Sequence, residues 1–274
     1  MSTVSVVIPV KDDARMLSRC LRALALQTRA PDEVIVVDNG SSDASAAVAR
    51  AAGARVVRCE QPGIPAASSC GYDAAAGDSI LRLDADCLPA ADWLETMAGA
   101  FAARPDVSVF VGSARFVDGP RPLRRSLAAA YLTVYAIVST PTLGHLPLFG
   151  SNLGFRRAAW RRIRSRVHRS DPEVHDDLDL AFHFGERHRI RYLPGAAMGM
   201  SMRPFMSGRG FARRVRRGFR TVVVHWPHDL PPVRWARRVL RRAVAPRGAL
   251  SLPRSPRPSR RSASARARVR RRPG

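Results

Sequence analysis

The chain has 274 residues, with 46 Lys or Arg against 22 Asp or Glu, which gives a formal net charge of +24. This length is enough for one large domain, or two small ones, with a substantial core. The hydrophobic content of 46% excludes a chain that is disordered throughout, and four cysteines are too few for a disulfide scaffold.

The positive charge is concentrated in the second half of the chain. Residues 1–120 carry a net charge of −4, from 11 basic and 15 acidic side chains, whereas residues 121–274 carry +28, from 35 and 7. All the basic residues except Lys11 are arginines, which GC-rich coding also favours. We interpret the charge as attraction to an anionic membrane surface or an anionic lipid-linked acceptor, or as coding drift. Nucleic acid is not an expected partner.

The chain shows no signal-peptide pattern, because its first apolar run ends at Pro9 and no basic region precedes it. No CxxC pair occurs, so we expect reduced thiols in a cytoplasmic protein, peripheral at the inner face of the cell membrane if the basic half binds lipid. Residues 127–149 lack charged side chains and are long enough to span a bilayer, but Pro141 and Pro147 interrupt them. We favour a buried or interfacial helix over residues 127–140.

Strand and helix patterns alternate along the first 110 residues. Apolar runs predict strands at residues 4–9, 33–38, 55–59, 79–84 and 107–117. Helical patterns lie between them, at residues 16–24, 43–52, 65–76 and 91–103. The alternation implies an α/β fold with a mostly parallel central sheet, helices on both faces, and a ligand beyond the carboxyl ends of the strands.

The second half is less regular. Its patterns predict strands at residues 150–156 and 190–193, and helices at residues 176–188 and 205–225. From Pro246 the sequence is rich in Pro, Ser and Arg and has no apolar period, which predicts disorder.

Asp84 and Asp86 stand at the end of the predicted strand 79–84. Residues two apart on an extended backbone face the same side, so both carboxylates can reach one cation. Mg²⁺ and Mn²⁺ prefer such oxygen ligands, together with phosphate oxygens. The pair therefore predicts a divalent metal site; the alternative is an exposed acidic turn.

Five segments, in this order, resemble the family-2 glycosyltransferases of the nucleotide-sugar-dependent GT-A type: VSVVIPVKDD, VIVVDNGSSD, AAGDSILRLDADC, GSNLGFRR and HDDLDL. The resemblance covers about residues 3–200. It implies a Rossmann-like GT-A fold, a UDP-, GDP- or dTDP-sugar donor, Mn²⁺ or Mg²⁺, and inversion at the anomeric carbon. It also implies a carbohydrate or lipid-linked acceptor and a role in building cell-envelope polysaccharide.

On this resemblance the chain divides into four parts. Residues 1–120 form a nucleotide-sugar-binding half, and residues 121–203 form the acceptor-binding and catalytic-base half of the same domain. Residues 204–245 form a basic helical extension, and residues 246–274 a disordered tail.

The resemblance also assigns roles to the donor side. Asp86 is the more direct metal ligand, and Asp84 lies near the ribose or the water shell of the metal. Asp38 contacts the nucleobase, although a turn-forming Asp is the alternative. The full set of donor-binding residues is Pro9, Val10, Asp12, Asp38, Gly63, Asp84, Ala85 and Asp86.

On the acceptor side, the resemblance makes Asp177 the base that takes the proton of the acceptor hydroxyl, with Asp176 as its neighbour. Clustered acids raise one another's pKa, which suits a base; a solvated acidic helix start is the alternative. Acceptor binding falls to Gly150, Ser151 and Asn152. Trp160 is either a sugar-stacking or a core residue, and His225 either approaches the metal or is an ordinary core or surface histidine.

One segment departs from the family pattern. Ser68 and Ser69 stand where the family usually has Arg-Asn, near the donor diphosphate, and Arg82 is a candidate replacement for that arginine. The departure leaves a second function open: an inactive GT-A-like protein whose basic half binds membrane or nucleic acid. A sugar nucleotidyltransferase is a third candidate, but it would need a Gly-rich phosphate loop after the first strand, which residues 10–15 do not provide.

Overall fold

The computed structural model describes residues 2–203 and 207–244. Its strands form one sheet in the order β3-β2-β1-β4-β7-β6-β8-β5. The strands are β1 (Val4–Val10), β2 (Glu33–Asp38), β3 (Arg55–Arg58), β4 (Ser79–Arg82), β5 (Leu88–Pro89), β6 (Val109–Phe116), β7 (Leu153–Arg156) and β8 (Ile190–Met200).

Helices connect these strands and cover the sheet. They are α1 (Ala14–Ala25), α2 (Ser45–Ala51), α3 (Ile64–Ala74), α4 (Trp93–Ala103), α5 (Arg124–Leu143), α6 (Arg157–Ile163), α7 (Asp176–Arg187), α8 (Gly208–Val224) and α9 (Pro231–Val244). Short 3-10 turns precede α5 and β7.

The first half has the predicted parallel topology. Strand β1 lies between β2 and β4 and is parallel to both, and β3 extends the sheet beyond β2. Helix α3 packs closely on β1 and β2 at Gly71, since a Cβ on this residue would lie 2.3 Å from Val7 and 2.8 Å from Val37. The carboxyl ends of the strands therefore meet at one edge, as the alternating pattern predicts.

The second half adds antiparallel pairs to a sheet that stays mostly parallel, since β6 and β8 are also parallel. Strand β7 is antiparallel to both β4 and β6, and β5 is antiparallel to β8. Several predicted bounds also change. Strand β4 ends at Arg82 rather than at Asp84, so the Asp84–Asp86 pair lies just beyond the strand. Residues 150–152 form a 3-10 turn before β7, and the strand predicted at 190–193 continues to Met200 beside β6, with a register shift after Gly112.

The apolar helix α5 is not buried. Of its residues only Ala128, Ser139 and Leu143 are buried, and much of its apolar surface faces outward. The segment Arg121–Leu143 is long and apolar enough to cross a membrane, judged by length and composition alone. The prediction of a buried helix is thus wrong, and the interfacial alternative stays a prediction.

Residues 207–244, the described part of the C-terminal region, contain two basic helices where the sequence pattern indicated one. Helix α8 begins at Gly208, where the Ser207 side chain accepts a hydrogen bond from the Gly210 N–H, and α9 follows after a short turn. The tail predicted to be disordered, residues 246–274, lies outside the described residues.

Candidate active site

The two turns that follow β1 and β2 are held together by carboxylates. Val10 pairs with Asp38 at the ends of these strands. Asp12 Oδ1 accepts hydrogen bonds from the N–H and the hydroxyl of Ser42, at 2.7 and 2.9 Å, and Asp38 Oδ1 accepts one from the Ser41 N–H at 2.9 Å. The Ser42 bonds hold the pKa of Asp12 below its usual range. Pro9, Val10, Asp12 and Asp38 are thus brought together.

Asn39 fixes the loop that carries Gly63. Its Nδ2 donates to the carbonyl oxygens of Cys59 and Gln61, and its Oδ1 accepts from the Gly63 N–H at 2.9 Å. Gly63 has a φ of +112°, and a Cβ there would lie 2.9 Å from Pro172. Nothing in the local sequence pattern shows that Asn39 spans to this loop.

Arg82 joins the two groups of acids. Its side chain is 3% exposed; Nη2 lies 3.1 Å from Asp84 Oδ1, and Nη1 lies 2.7 Å from both Asp176 Oδ2 and Asp177 Oδ1. The contacts with Asp84 and Asp177 are hydrogen bonds, whereas the Asp176 oxygen is close but not aligned for one. The acids predicted to hold the metal and those predicted to supply the base therefore share one guanidinium.

Asp176 and Asp177 are neighbours in the sequence, but their surroundings shift their pKa values in opposite directions. Burial raises the pKa of Asp176 to about 7, against the opposing charge of Arg82 and with a further contribution from Asp177. Burial also disfavours the charged form of Asp177, but Arg82, His175 and the Gly150 N–H outweigh it and hold its pKa below the usual range. The raised pKa that sequence analysis expected for the base thus lies on Asp176.

Asp86 is the less exposed acid of the Asp84–Asp86 pair, at 20% of its side chain against 35% for Asp84. The ligand atoms of Asp84, Asp86 and Cys87 lie within 4.8 Å of one another. Burial and the neighbouring Asp84 charge raise the pKa of Asp86, and burial raises that of the Cys87 thiol. A protonated thiol is a poor ligand for a hard cation, so the two carboxylates are the part of the group that fits Mg²⁺ or Mn²⁺.

Arg203 occupies part of the same space. Its Nη2 lies 2.5 Å from Asp13 Oδ2 and 3.1 Å from Asp86 Oδ2, and these bonds raise its pKa. Arg203 was not among the predicted site residues, because it lies 117 positions from Asp86 and only the return of β8 to the site brings it close.

The turn at residues 150–152 supports the acids rather than lining an open surface. A Cβ on Gly150 would lie 2.0 Å from both Arg82 Nη1 and Asp177 Oδ1, so only glycine fits. Ser151 donates to Asp84 Oδ2 at 2.5 Å. Asn152 is fully buried and bonds to Trp93, Ser113 and Ala196. Its predicted hydrogen bond to an acceptor sugar is therefore contradicted by its burial.

Four further residues that the resemblance brought into question are buried. Trp160 is 1% exposed and donates to Asp73, so it is a core residue. His225 lies against Asp179 rather than against the Asp84–Asp86 pair. Ser68 and Ser69 are buried in α3. Arg82, the candidate replacement for the missing arginine, contacts Asp84 of the predicted metal pair.

Comparison with known proteins identifies the class. The family model described as glycosyl transferase family 2 matches residues 5–164. This match covers more than half of the chain, and the protein belongs to this family. The matched segment contains the turns after β1 and β2, Arg82, the Asp84–Asp86 pair and the Gly150 turn, but it ends before Asp176.

Particular relatives share parts of the sequence. A glycosyltransferase of Haloferax volcanii, AglE, is 38% identical over 100 residues, which are 34% of this chain and 33% of that protein. A protein of Bacillus subtilis named as the glycosyltransferase EpsH is 28% identical over 133 residues, 47% of this chain and 39% of that protein. The alignments thus span well under half the length of these relatives.

Solved structures share the fold. Glucosyl-3-phosphoglycerate synthase from Mycobacterium tuberculosis, in complex with phosphoglyceric acid, superposes with a TM-score of 0.59 over 81% of this chain and 79% of that one, at 22% identity. A complex of the same synthase with Mn²⁺, UDP-glucose and phosphoglyceric acid gives 0.51 over 79% of each chain, at 23% identity. The predicted GT-A fold is thereby confirmed.

Proposed function

We propose that this protein transfers a sugar from a nucleotide-sugar donor to an acceptor hydroxyl with inversion at the anomeric carbon. The observation that carries the proposal is the position of Arg82, whose one guanidinium contacts Asp84 on the donor side and Asp177 on the acceptor side. Inversion needs a leaving group and a proton acceptor on opposite sides of one carbon. In this arrangement Asp84 would lie beside the leaving diphosphate of the donor, and Asp177 beside the acceptor hydroxyl.

The donor would lie at the carboxyl ends of β1, β2 and β4. Pro9, Val10, Asp12 and Asp38 would surround the nucleobase, and Asp84 and Asp86 would hold Mn²⁺ or Mg²⁺. Such an ion, when bound, neutralises the charge that develops on a departing nucleoside diphosphate. The synthase from M. tuberculosis, which shares the fold, is described with Mn²⁺ and UDP-glucose, which supports a metal at this site.

Asp177 would accept the proton of the acceptor hydroxyl. Its low pKa keeps it ionised, and Arg82 and the Gly150 N–H orient it. Asp176, whose pKa is near 7, would hold a proton in the same range of pH and so limit the negative charge around Arg82. The side chain of Asp177 is also the more exposed of the two, at 15% against 9%.

A large apolar cavity beside this centre supports a lipid-linked acceptor. The cavity measures about 1510 Å³ and lies between α5 and the region of residues 185–192. Tyr135, which lines it, lies with its ring 6.3 Å from that of His175, and Phe149 directly precedes Gly150. Apolar side chains of α5 line one part of the cavity, and arginines of residues 185–192 line another. The cavity therefore fits an acyl or isoprenoid chain that carries an anionic phosphate.

The C-terminal helices support binding to an anionic membrane surface, with the protein in the cytoplasm and peripheral at the inner face of the cell membrane. Helices α8 and α9 are rich in arginine and expose Phe211, Phe219, Trp235 and Leu240. Basic helices with one apolar face lie at membrane interfaces, where they bind anionic headgroups. This position would bring the chain to a lipid-linked substrate of cell-envelope polysaccharide synthesis.

The proposal is tested by donor binding followed by transfer. A thermal-shift screen of UDP-, GDP- and dTDP-sugars with and without Mn²⁺ should find a donor that raises the Tm only with metal. Transfer to a polyprenyl-phosphate acceptor should then be abolished in Asp86→Asn and Asp177→Asn. The matched variant Asp106→Asn, at an exposed acid in the turn before β6, should keep full turnover.

Other outcomes would point to other functions. Full turnover in both active-site variants would contradict the mechanism. Pyrophosphate release from a nucleoside triphosphate and a sugar phosphate would instead indicate a nucleotidyltransferase. Vesicle or DNA binding without binding of any nucleotide sugar would indicate an inactive fold that acts through its basic half.

A further inference from the structure

Four side chains that can bind a metal meet around α7, apart from the acids of the proposed transfer reaction. Asp179 and His183 lie one turn apart on α7, His168 lies in the loop between α6 and α7, and His225 directly follows α8. Their ligand atoms lie within 4.8 Å of one another, and Asp179, His183 and His225 are buried. The proposed reaction uses none of them.

All three imidazoles direct a nitrogen at the same carboxylate oxygen. Asp179 Oδ1 lies 2.7 Å from His168 Nδ1, 3.4 Å from His183 Nε2 and 3.3 Å from His225 Nε2. The Nε2 atoms of His183 and His225 are buried and have no hydrogen-bond partner. A buried polar atom without a partner costs free energy, so two such atoms aimed at one oxygen indicate a ligand between them.

The hydrogen bonding of His225 strengthens this interpretation. Its Nδ1 lies 2.7 Å from the carbonyl oxygen of Thr221, an acceptor, so Nδ1 carries the proton. In the neutral ring Nε2 then has a lone pair, which faces the lone pairs of Asp179 Oδ1. Metal-ligating histidines are typically supported by such a bond from the other ring nitrogen.

The distances fit a tetrahedral ion. Zn–N and Zn–O bonds of about 2.0–2.1 Å place tetrahedral ligand atoms about 3.3–3.4 Å apart. The contacts of His183 and His225 with Asp179 have this length, while His168 would move outward by about half an ångström. The His168 side chain is 35% exposed, which gives the ion a path from solvent. Three imidazoles with one carboxylate suit Zn²⁺ better than Mg²⁺ or Ca²⁺.

We propose that His168, Asp179, His183 and His225 form a Zn²⁺ site, distinct from the Asp84–Asp86 pair. Four protein ligands leave no open position for a substrate, so the ion would be structural. It would tie the end of α8 to α7, and so hold the basic C-terminal helices against the helix that begins with Asp176 and Asp177.

The test is the metal content of the full chain, purified without a polyhistidine tag. After dialysis against Zn²⁺ and then metal-free buffer, mass spectrometry should find about one Zn²⁺ per chain. Asp86→Asn should retain it, because that change affects only the predicted Mn²⁺ or Mg²⁺ site. His183→Gln and His225→Gln should each lower the retained Zn²⁺ at least about tenfold. The exposed His228→Gln is the matched control and should retain it.

A second measurement does not depend on the folding of the histidine variants. In the Asp86→Asn chain, Zn²⁺ should raise the Tm and a chelator should lower it, because an ion that binds only the folded state stabilises that state. Co²⁺ in place of Zn²⁺ should give the intense visible absorption of a four-coordinate site. If the chain retains no Zn²⁺, or if the histidine variants retain as much as the original chain, the cluster is a metal-free carboxylate–histidine network and the proposal fails.

Discussion

At the scale of single residues, the central feature is that three carboxylates share one buried cation. Arg82 contacts Asp84, Asp176 and Asp177, and its guanidinium is the group that makes their burial tolerable. Burial of a charge is expensive unless it is paired, so the cluster depends on this side chain more than on any one of the acids.

Replacing Arg82 by Met should therefore destabilise the fold strongly. The change leaves buried carboxylates without a counter-charge, which costs about 3–5 kcal/mol. Arg82→Lys keeps the charge but not the planar fork that reaches two sides at once, so its loss of stability should be smaller while turnover still falls at least about tenfold. Urea unfolding with parallel assays checks this; equal stability of all three chains would contradict the shared-cation role.

Neutralising Asp176 and neutralising Asp177 should change the free energy of unfolding in opposite directions. For Asp176 the folded-state pKa is about 7 and the ordinary value 3.8, so its proton stabilises the fold at low pH and this contribution is lost as the pH rises through 7. For Asp177 the folded-state pKa is depressed, so ionisation stabilises the fold above the ordinary value and the contribution is lost as the pH falls.

At pH 8, Asp176→Asn should therefore raise the free energy of unfolding by up to a few kcal/mol, whereas Asp177→Asn should lower it. Below pH 5 the gain from Asp176→Asn should disappear, because the original side chain is protonated there. Chemical denaturation at both pH values measures these differences. Two variants that change stability in the same direction at pH 8 would show that the pKa values are not separated in this way.

Arg203 should compete with a metal for Asp86. Its guanidinium lies 3.1 Å from the carboxylate that the cation would bind, so removing it should strengthen Mn²⁺ binding in the absence of donor. Calorimetric titration of Arg203→Ala should give a Kd several-fold below that of the original chain. Arg15→Ala, an equal change of charge at an exposed residue of α1, is the control and should leave the Kd unchanged.

At the scale of elements, the turn before β7 sets the spacing of the site. A methyl group on Gly150 would overlap the ion pair of Arg82 with Asp177, whereas a methyl group on Gly99 of α4 would meet no atom within 4 Å. Gly150→Ala should lower kcat at least about tenfold and cost about 1–3 kcal/mol, because neither side chain can retreat in a packed interior. Gly99→Ala should be neutral or slightly stabilising. Turnover and Tm of the two glycine variants measure these effects, and equal turnover of both variants would contradict the prediction.

The elements also show how far the sequence predicts this molecule. The strands β1 to β4 and the acids at their ends are local patterns, and apolar runs followed by polar residues predicted them. The convergence of Arg82, Gly150 and Asp177 joins segments up to 95 positions apart, and no local pattern records it. Asn152 was misjudged for the same reason, since a polar residue beside glycines resembles a binding turn until its buried partners are known.

At the scale of the whole molecule, the uneven charge has a place in the fold. The acidic half forms the donor side of the sheet, and the arginine-rich helices α8 and α9 follow the last strand and pack beside α7 and α5. The exposed apolar residues of α5, α8 and α9 belong to the same basic half. The large cavity is also lined by this half, except where β6 contributes to it. If the large cavity and the cationic helices lie on one membrane-facing side of the molecule, this would explain why the net charge is unevenly distributed.

This orientation predicts that vesicle binding depends on the basic half alone. Phe211 and Phe219 of α8 are 51% and 69% exposed, so Phe211→Ser with Phe219→Ser should weaken binding to vesicles containing phosphatidylglycerol at least about tenfold. Leu26→Ser, at a residue 77% exposed in the acidic half, is the matched control and should leave binding unchanged. Binding should also fall with salt, and on deletion of residues 246–274, while turnover on a soluble acceptor persists. Cosedimentation measures all of these, and equal loss in the Leu26 variant would mean that the protein has no preferred membrane-facing side.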